Sequence, residues 1–150
     1  MGNAWARLAV LVAICTLSSA PAAAAVSVAG GGFATSLPAQ SGGGVLVTSS
    51  TAVPAVPLEV QGSLFAPIGK YGGYAVTAEI RGLSGGGFGG AYVGGGVGIG
   101  RLPSATGNST LLTLFVGKPI APLTTIELRY YQQSEQGSKG LLFAGLRFTL

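Results

Sequence analysis

The chain has 150 residues, of which 48% are hydrophobic and 8% are charged, and its net charge is +4. It contains no histidine, one cysteine (Cys15) and four acidic residues, all glutamate. A Ser-His-Asp triad, a Cys-His pair, a His-based zinc site and an Asp-rich calcium loop are therefore excluded. Eight scattered Lys and Arg do not make the dense basic surface that nucleic-acid binding needs. So many apolar side chains beside so few charges do not suit an ordinary soluble surface.

The N-terminus has the layout of a secretory signal peptide. Arg7 precedes an apolar run, Leu8 to Leu17, and small residues follow as far as the expected cleavage point after Ala24 or Ala25. The sequence therefore predicts a cleaved signal peptide at 1–25.

Two other uses of this segment fit less well. A retained anchor helix needs roughly 20 apolar residues, and the run from Leu8 to Leu17 is shorter and closely followed by Pro21. Lipoprotein processing at Cys15 is disfavoured because the preceding Ile14 is bulky where lipoprotein signals have Gly or Ala. Removal of the segment remains the better interpretation.

The exported part, 26–150, is long enough for one domain. Its charge-free stretch Gly82 to Gly100 has the length of a membrane helix, but eleven of those nineteen residues are glycine. Each glycine costs about 1 kcal/mol relative to alanine in a helix. A helical span is therefore not expected there.

Strand patterns explain the exported part much better. Before Leu58 the pattern is weak, but Val26 to Thr35 and Gly44 to Ala52 supply two candidate strands. From Leu58 onward, six segments alternate apolar with polar or small residues at a period of two, and Gly, Pro and polar residues separate them. Their apolar faces are Leu58-Val60-Gly62-Leu64, Tyr74-Val76-Ala78-Ile80, Ala91-Val93-Val97-Ile99, Leu112-Leu114-Val116, Ile126-Leu128-Tyr130 and Leu142-Ala144-Leu146-Phe148-Leu150.

Eight strands of about 9 to 11 residues fill the exported part and leave only short connections. The predicted fold is all-β: a closed, antiparallel, up-and-down transmembrane β-barrel of about eight strands in the bacterial outer membrane. In such a barrel the apolar faces contact lipid, and every backbone donor and acceptor is paired around the closed sheet.

This register places six charged residues inside, three of each sign: Glu59, Glu79, Arg81, Glu127, Arg129 and Arg147. Balanced charges can pair in the lumen instead of remaining unpaired at low dielectric. We therefore predict a structural ion-pair network with no catalytic, cofactor-binding or metal-binding residue. A glycosidase-like use of Glu79 and Glu127 is the disfavoured alternative. Inward glycines such as Gly117 and Gly145 are expected to leave room for long side chains.

Three segments together resemble the small outer-membrane β-barrel proteins of the opacity and attachment-invasion type: Tyr92 to Gly98 (YVGGGVG), Glu127 to Tyr131 (ELRYY) and Gly145 to Leu150 (GLRFTL). The resemblance covers Leu58 to Leu150. It implies an eight-stranded barrel whose C-terminal strand is read by the outer-membrane assembly machinery. Two features differ from the family pattern: Leu150 stands where a terminal aromatic residue is usual, and the external loops are short.

Three lesser motifs have ordinary explanations. Gly85 to Gly90 satisfies GxGxxG by letter, but no parallel strand, following helix or acidic ribose partner accompanies it. Asn108-Ser109-Thr110 is a glycosylation sequon that we interpret as a polar turn. Four aromatic residues near predicted strand ends suit an interfacial belt or ordinary packing equally well: Tyr71, Tyr74, Tyr130 and Phe148.

Three functions remain open from the sequence. The first is a small integral outer-membrane barrel with a structural or surface-interaction role, partnered by outer-membrane lipid. The second is a narrow pore, because inward glycines can open a thin water path. The third is a soluble periplasmic barrel that turns its apolar faces inward around an apolar ligand. No enzyme activity, cofactor or nucleic-acid partner is expected, and no surface partner can be named.

Overall fold

The computed structural model describes residues 25–36, 39–53, 55–83, 90–103, 105–134 and 139–150. Eight strands cover most of them: β1 (Ala25–Thr35), β2 (Gln40–Ala52), β3 (Leu58–Pro67), β4 (Tyr74–Leu83), β5 (Tyr92–Arg101), β6 (Ser109–Ala121), β7 (Thr124–Gln133) and β8 (Gly140–Thr149). None of the described residues forms a helix long and apolar enough to cross a membrane.

Each strand pairs antiparallel with the next along the chain, and β1 also pairs antiparallel with β8, so the sheet closes on itself. The predicted closed up-and-down barrel of eight strands is confirmed. The two weakly patterned segments are strands as expected, although β2 begins at Gln40, four residues before the predicted Gly44. Gly42 and Gly43 carry no side chain, so apolar periodicity could not extend the predicted strand through them.

The predicted signal peptide at 1–25 lies outside the described residues, except for Ala25, the first residue of β1. Cleavage after Ala24 would leave β1 whole, whereas cleavage after Ala25 would remove its first residue. The segment and its cleavage point stay predictions.

The outer face of the barrel is apolar. Side chains alternate between buried and exposed along the strands, and the exposed set is the predicted apolar one. The large hydrophobic side chains exposed on the strands are Leu58, Val60, Val76, Ile80, Val93, Val97, Ile99, Leu112, Leu114, Val116, Ile120, Ile126, Leu128, Tyr130, Leu142, Leu146 and Phe148. A soluble protein would bury most of these side chains, so the polarity of this barrel is inverted.

The two ends of the barrel differ in their connections. Both ends of the described chain lie at one rim, which we call the terminal rim, together with the connections at 53–57, 84–91 and 122–123. The opposite rim, the distal rim, carries the connections at 36–39, 68–73, 102–108 and 134–139. All seven connections are short, as the sequence indicated.

The distal half of the lumen is filled by a hydrophobic plug. Phe65 is the centre of it, with its ring centroid 6.1 Å from that of Phe33, 5.4 Å from that of Phe143 and 5.6 Å from that of Tyr131. The other buried members are Ala29, Leu46, Ala75, Leu102, Leu111 and Leu141. The core of the barrel is therefore its lumen, and all the strands except β5 contribute a side chain to this plug.

Inward glycines make room for these large side chains, as expected from the sequence. A Cβ added at Gly44 would lie 2.6 Å from the ring of Phe65, and one at Gly145 would lie 2.7 Å from the ring of Phe143. A Cβ at Gly117 would overlap the ring of Tyr92. The aromatic rings thus pack directly against bare backbone, of the neighbouring strand at Gly44 and Gly117 and of the same strand at Gly145.

The packing on Gly44 generates a prediction. Gly44→Ala should lower the free energy of unfolding by about 1–3 kcal/mol, because an added methyl group overpacks a filled core. The measurement is urea unfolding of the barrel in detergent, followed by circular dichroism. Gly62→Ala is the matched control, since a Cβ at Gly62, on the outer face, meets nothing within 4 Å. Equal stability of the two variants would contradict the described packing.

Candidate functional site

All six charged residues that were predicted to face the lumen do so, in two groups. Glu59 on β3 pairs with Arg81 on β4. The other four form a chain of contacts in the order Glu79, Arg129, Glu127 and Arg147, across β4, β7 and β8. Their positive and negative charges balance within each group.

Glu79 is the most heavily contacted carboxylate of the network, and it is only 2% exposed. Its Oε1 accepts hydrogen bonds from the hydroxyls of Ser63, at 2.6 Å, and Thr77 and from Nη1 of Arg129. Its Oε2 accepts a hydrogen bond from the amide of Gln61. Because β3, β4 and β7 all contribute donors, this carboxylate joins strands that are distant in the sequence.

Arg129 links the two buried carboxylates and is fully buried. Besides its contact with Glu79, it donates from Nε to Oε1 of Glu127 at 3.0 Å and from Nη1 to the hydroxyl of Ser63 at 3.1 Å. Its guanidinium Cζ also lies 4.3 Å from the ring centroid of Phe115, within the range of a cation–π contact. The guanidinium thus bridges the polar and aromatic parts of the lumen.

Glu127 carries the network to the terminal half of the lumen. Its Oε2 accepts hydrogen bonds from the hydroxyl of Tyr92 and from Nη1 of Arg147, the latter at 3.0 Å. Arg147 in turn donates from Nε to the hydroxyl of Ser27 at 2.7 Å. Ser27 shares a 2.8 Å hydrogen bond with Thr48, which extends the contacts to β1 and β2.

The Glu59–Arg81 pair lies nearer to solvent than the other four residues. The side chains of Arg81 and Glu59 are 13% and 17% exposed, and the guanidinium Cζ of Arg81 lies 4.6 Å from the ring centroid of Tyr92. Tyr92 therefore contacts both groups, through its ring on one side and its hydroxyl on the other.

The burial of the carboxylates decides what this arrangement can do chemically. A glycosidase needs two carboxyl groups that can reach a sugar on either side of the bond to be cleaved. Glu79 and Glu127 are instead 2% and 1% exposed, and both contact the same arginine. No substrate can reach them without opening the barrel, so the geometry suits charge pairing and not catalysis. Across the described residues, no three His, Cys, Asp or Glu cluster in a way that could hold a metal ion.

Sequence reasoning missed the neutral partners of the network. Gln61, Ser63, Thr77 and Tyr92 all lie on the inner faces of their strands, so the same alternation that placed the charges could have placed them. Ser27 was harder to find, since it belongs to the weakly patterned β1. The pairing itself, such as Arg129 with Glu79, depends on the stagger of strands across the lumen.

The other motifs have mixed outcomes. Tyr71 does not belong to an outer aromatic belt, because its ring packs edge-on against Phe33 at 5.6 Å. Tyr130 and Phe148 do face outward. In the sequon, Ser109 begins β6 and accepts a 2.6 Å hydrogen bond from Gln133, so it has a structural role. The GxGxxG stretch falls almost entirely on 84–89, outside the described residues.

We expect Glu79→Gln to lower the free energy of unfolding by about 3–5 kcal/mol, as when one partner of a buried ion pair is removed. The variant keeps the size of the side chain but leaves Arg129 in a lumen with one excess positive charge. Glu59→Gln, in the more exposed pair, is the matched control. It should lower the free energy of unfolding by less, because water screens the Glu59–Arg81 interaction. Urea unfolding in detergent gives both values.

A second variant separates charge from shape in the same experiment. Adding Arg129→Met to Glu79→Gln removes the excess charge and should recover part of the lost stability. Equal loss of stability in Glu79→Gln and Glu59→Gln would contradict a stabilising role for charge pairing in the lumen. A double variant no more stable than Glu79→Gln would contradict it as well.

Comparisons with protein-family models and with curated proteins find no match to this chain. Solved structures match in fold at low identity. Neisserial surface protein A (NspA) is 14% identical with a TM-score of 0.59, and the match covers 86% of this chain and 98% of NspA. The N-terminal β-barrel domain of Pseudomonas aeruginosa OprF is 12% identical with a TM-score of 0.54, covering 83% of this chain and 97% of that domain.

Ail, the attachment invasion locus protein of Yersinia pestis, is 16% identical with a TM-score of 0.50, and the match covers 83% of this chain and 97% of Ail. At these identities the likeness concerns the fold alone. The chain therefore has the fold of the small eight-stranded outer-membrane barrels that its sequence resembles.

Proposed function

We propose that this chain is a small integral protein of a bacterial outer membrane, with a structural or surface-interaction role and no catalytic activity. The observation that carries the proposal is the inverted polarity of the barrel. Large apolar side chains cover its outer wall, while charged side chains meet in its lumen. A bilayer is the environment in which that arrangement is stable, since a closed barrel leaves no backbone group unpaired in lipid.

The magnitude of the hydrophobic effect supports lipid as the partner of the wall. Each large apolar side chain gains about 1.5–3 kcal/mol when it is fully removed from water. More than a dozen such side chains, from Val60 on β3 to Phe148 on β8, stand exposed. In water this surface would drive aggregation, whereas in a bilayer it anchors the barrel.

The surface-interaction part of the proposal concerns the distal rim. Polar and charged residues such as Lys70, Arg101 and Asn108 are exposed there, and two of the proteins with this fold are described as a surface protein and an attachment invasion protein. The connections at this rim are short, which favours a structural role or a flat contact over a long-looped adhesin.

The described lumen argues against the narrow pore. The polar half is occupied by the Glu79–Arg129–Glu127–Arg147 chain, and the distal half is occupied by the aromatic and aliphatic plug around Phe65. Both sets of side chains are almost wholly buried, which supports a filled lumen over a conducting one.

We expect planar bilayers that contain the purified protein to show no reproducible single-channel steps, because side chains fill the lumen. Gly44→Ala keeps the lumen filled and should be equally silent. Steps that recur in independent preparations, and that change in size or selectivity with Arg147→Glu, would favour the pore instead.

The soluble barrel with an apolar ligand needs the apolar faces inside. The structure has them outside, and the lumen holds ion pairs and a packed plug in place of a ligand cavity. This arrangement favours the membrane barrel over the soluble one.

Membrane fractionation tests the proposed location. The protein should enter the outer-membrane fraction and migrate differently on a gel before and after heating, because a folded barrel resists detergent until it is heated. We propose that the outer-membrane assembly machinery recognises the C-terminal strand β8, so cells depleted of this machinery should lose the heat-modifiable form. A soluble periplasmic product without a heat shift would overturn the proposal.

A further inference from the structure

The terminal rim carries exposed apolar side chains where a membrane barrel would be expected to meet water. Leu123, at the tip of the β6–β7 turn, is 68% exposed, and Ile120 beside it is 57% exposed. Val56, in the β2–β3 turn, is 45% exposed. Leu150, at the end of the chain, is exposed as well, and its N–H donates to the carbonyl of Val26 at 2.8 Å, so it is held against the rim.

The connections at the two rims differ in charge, and the terminal rim exposes more large apolar side chains than the distal rim, where Ile68 is the exposed one in the described connections. The terminal-rim connections at 53–57, 84–91 and 122–123 contain no charged residue in the sequence. The distal-rim connections contain Lys70, Glu135 and Lys139. Ordinary connections in water are polar, so the uncharged rim is suited to a different surrounding.

Backbone geometry does not account for the leucine at the turn tip. Leu123 has a φ of 63°, in the left-handed region, directly after Pro122. Glycine or asparagine would occupy that position at lower cost than a large apolar residue. The side chain at this tip therefore has to be explained by what it contacts.

The height of the apolar wall indicates that the side chain of Leu123 contacts lipid. On β6 the outward apolar positions run from Leu112 to Ile120, about 26 Å along the strand at about 3.3 Å per residue. A strand tilted by about 40° spans only about 20 Å of membrane over that length, less than the apolar band of about 25 Å in outer-membrane barrels. The apolar run on β6 therefore needs the residues at the rim to approach the thickness of the bilayer.

The exception in this run is Lys118, which is exposed between Val116 and Ile120. A lysine near the end of a membrane span extends its ammonium group toward the headgroups while its methylene stem stays in apolar surroundings. An anionic phosphate at that level would complement its charge.

We propose that the apolar terminal rim, formed by Val56, Ile120, Leu123 and Leu150, is a lipid-docking surface that inserts into the boundary between headgroups and acyl chains, with Lys118 directed at the lipid phosphates. The proposal rests on the proposed function, because it requires that the wall of the barrel spans a bilayer. The partner is the lipid leaflet on the side of the chain termini. The rim extends the apolar surface of the barrel wall into the headgroup boundary of that leaflet.

Fluorescence of single tryptophans tests the proposal. The sequence has one tryptophan, Trp5, so Trp5→Phe gives a background in which an introduced indole is the only one. Barrels extracted from the membranes of expressing cells are placed in vesicles of brominated phosphatidylcholine with phosphatidylglycerol. Leu123→Trp and Val56→Trp probe two separate turns of the terminal rim, Val97→Trp probes the middle of the wall, and Thr106→Trp probes the distal rim.

We expect the emission of Leu123→Trp and Val56→Trp to be shifted to the blue relative to Thr106→Trp, and to be quenched most by bromines near the headgroup. Val97→Trp should be quenched most by bromines deep in the acyl chains. If both rim variants emit as indoles in water and are not quenched while Val97→Trp is, the docking proposal is wrong and the rim is free for a protein partner. If Val97→Trp also escapes quenching, the membrane-spanning function itself fails.

Discussion

Closure of the sheet by pairing β1 with β8 is the constraint on which the rest of this structure depends. Once no edge remains, the backbone groups of the strands are paired within the barrel. Each strand side chain then lies either on the outer wall or in the lumen. Many large apolar side chains take the outer wall, and the charged residues of the network share the narrow lumen with the aromatic and aliphatic plug. The inverted polarity and the ion-pair network are therefore two results of the same topology.

The lumen is divided by chemistry along its axis. Paired charges occupy the terminal half, and an aromatic and aliphatic plug occupies the distal half, with Arg129 between them in contact with both Glu79 and the ring of Phe115. Isolated buried charges would cost many kilocalories per mole, but here each guanidinium meets at least one carboxylate. Glycines on the inner faces allow this filling, because they leave space for the aromatic rings packed against them.

Much of this arrangement could be predicted from alternation alone. Alternation with a period of two indicates on which face of the sheet each side chain lies. Glu59, Glu79 and Arg147 could therefore be assigned to the lumen without knowing any contact. Their partners could not, because contacts across a barrel depend on tilt and stagger, which the sequence does not express locally. The start of β2 at Gln40 was missed because Gly42 and Gly43 carry no side chain that could show a face. The sequence left Tyr71 open between a belt and ordinary packing, because an aromatic ring at a strand end suits either side of the wall, and the structure selects packing against Phe33.

The ion-pair network joins strands from both halves of the chain, and this affects how the barrel assembles. Its members come from β3, β4, β7 and β8, with Tyr92 of β5 and Ser27 of β1 as hydrogen-bond partners. A half-assembled sheet made of the first hairpins would hold Glu79 without Arg129, and one made of β7 and β8 would hold Arg129 and Arg147 with only Glu127 between them. Each intermediate would keep one charge without a partner in hydrocarbon. Membrane insertion and the pairing of β1 with β8 are therefore expected to occur as one cooperative step.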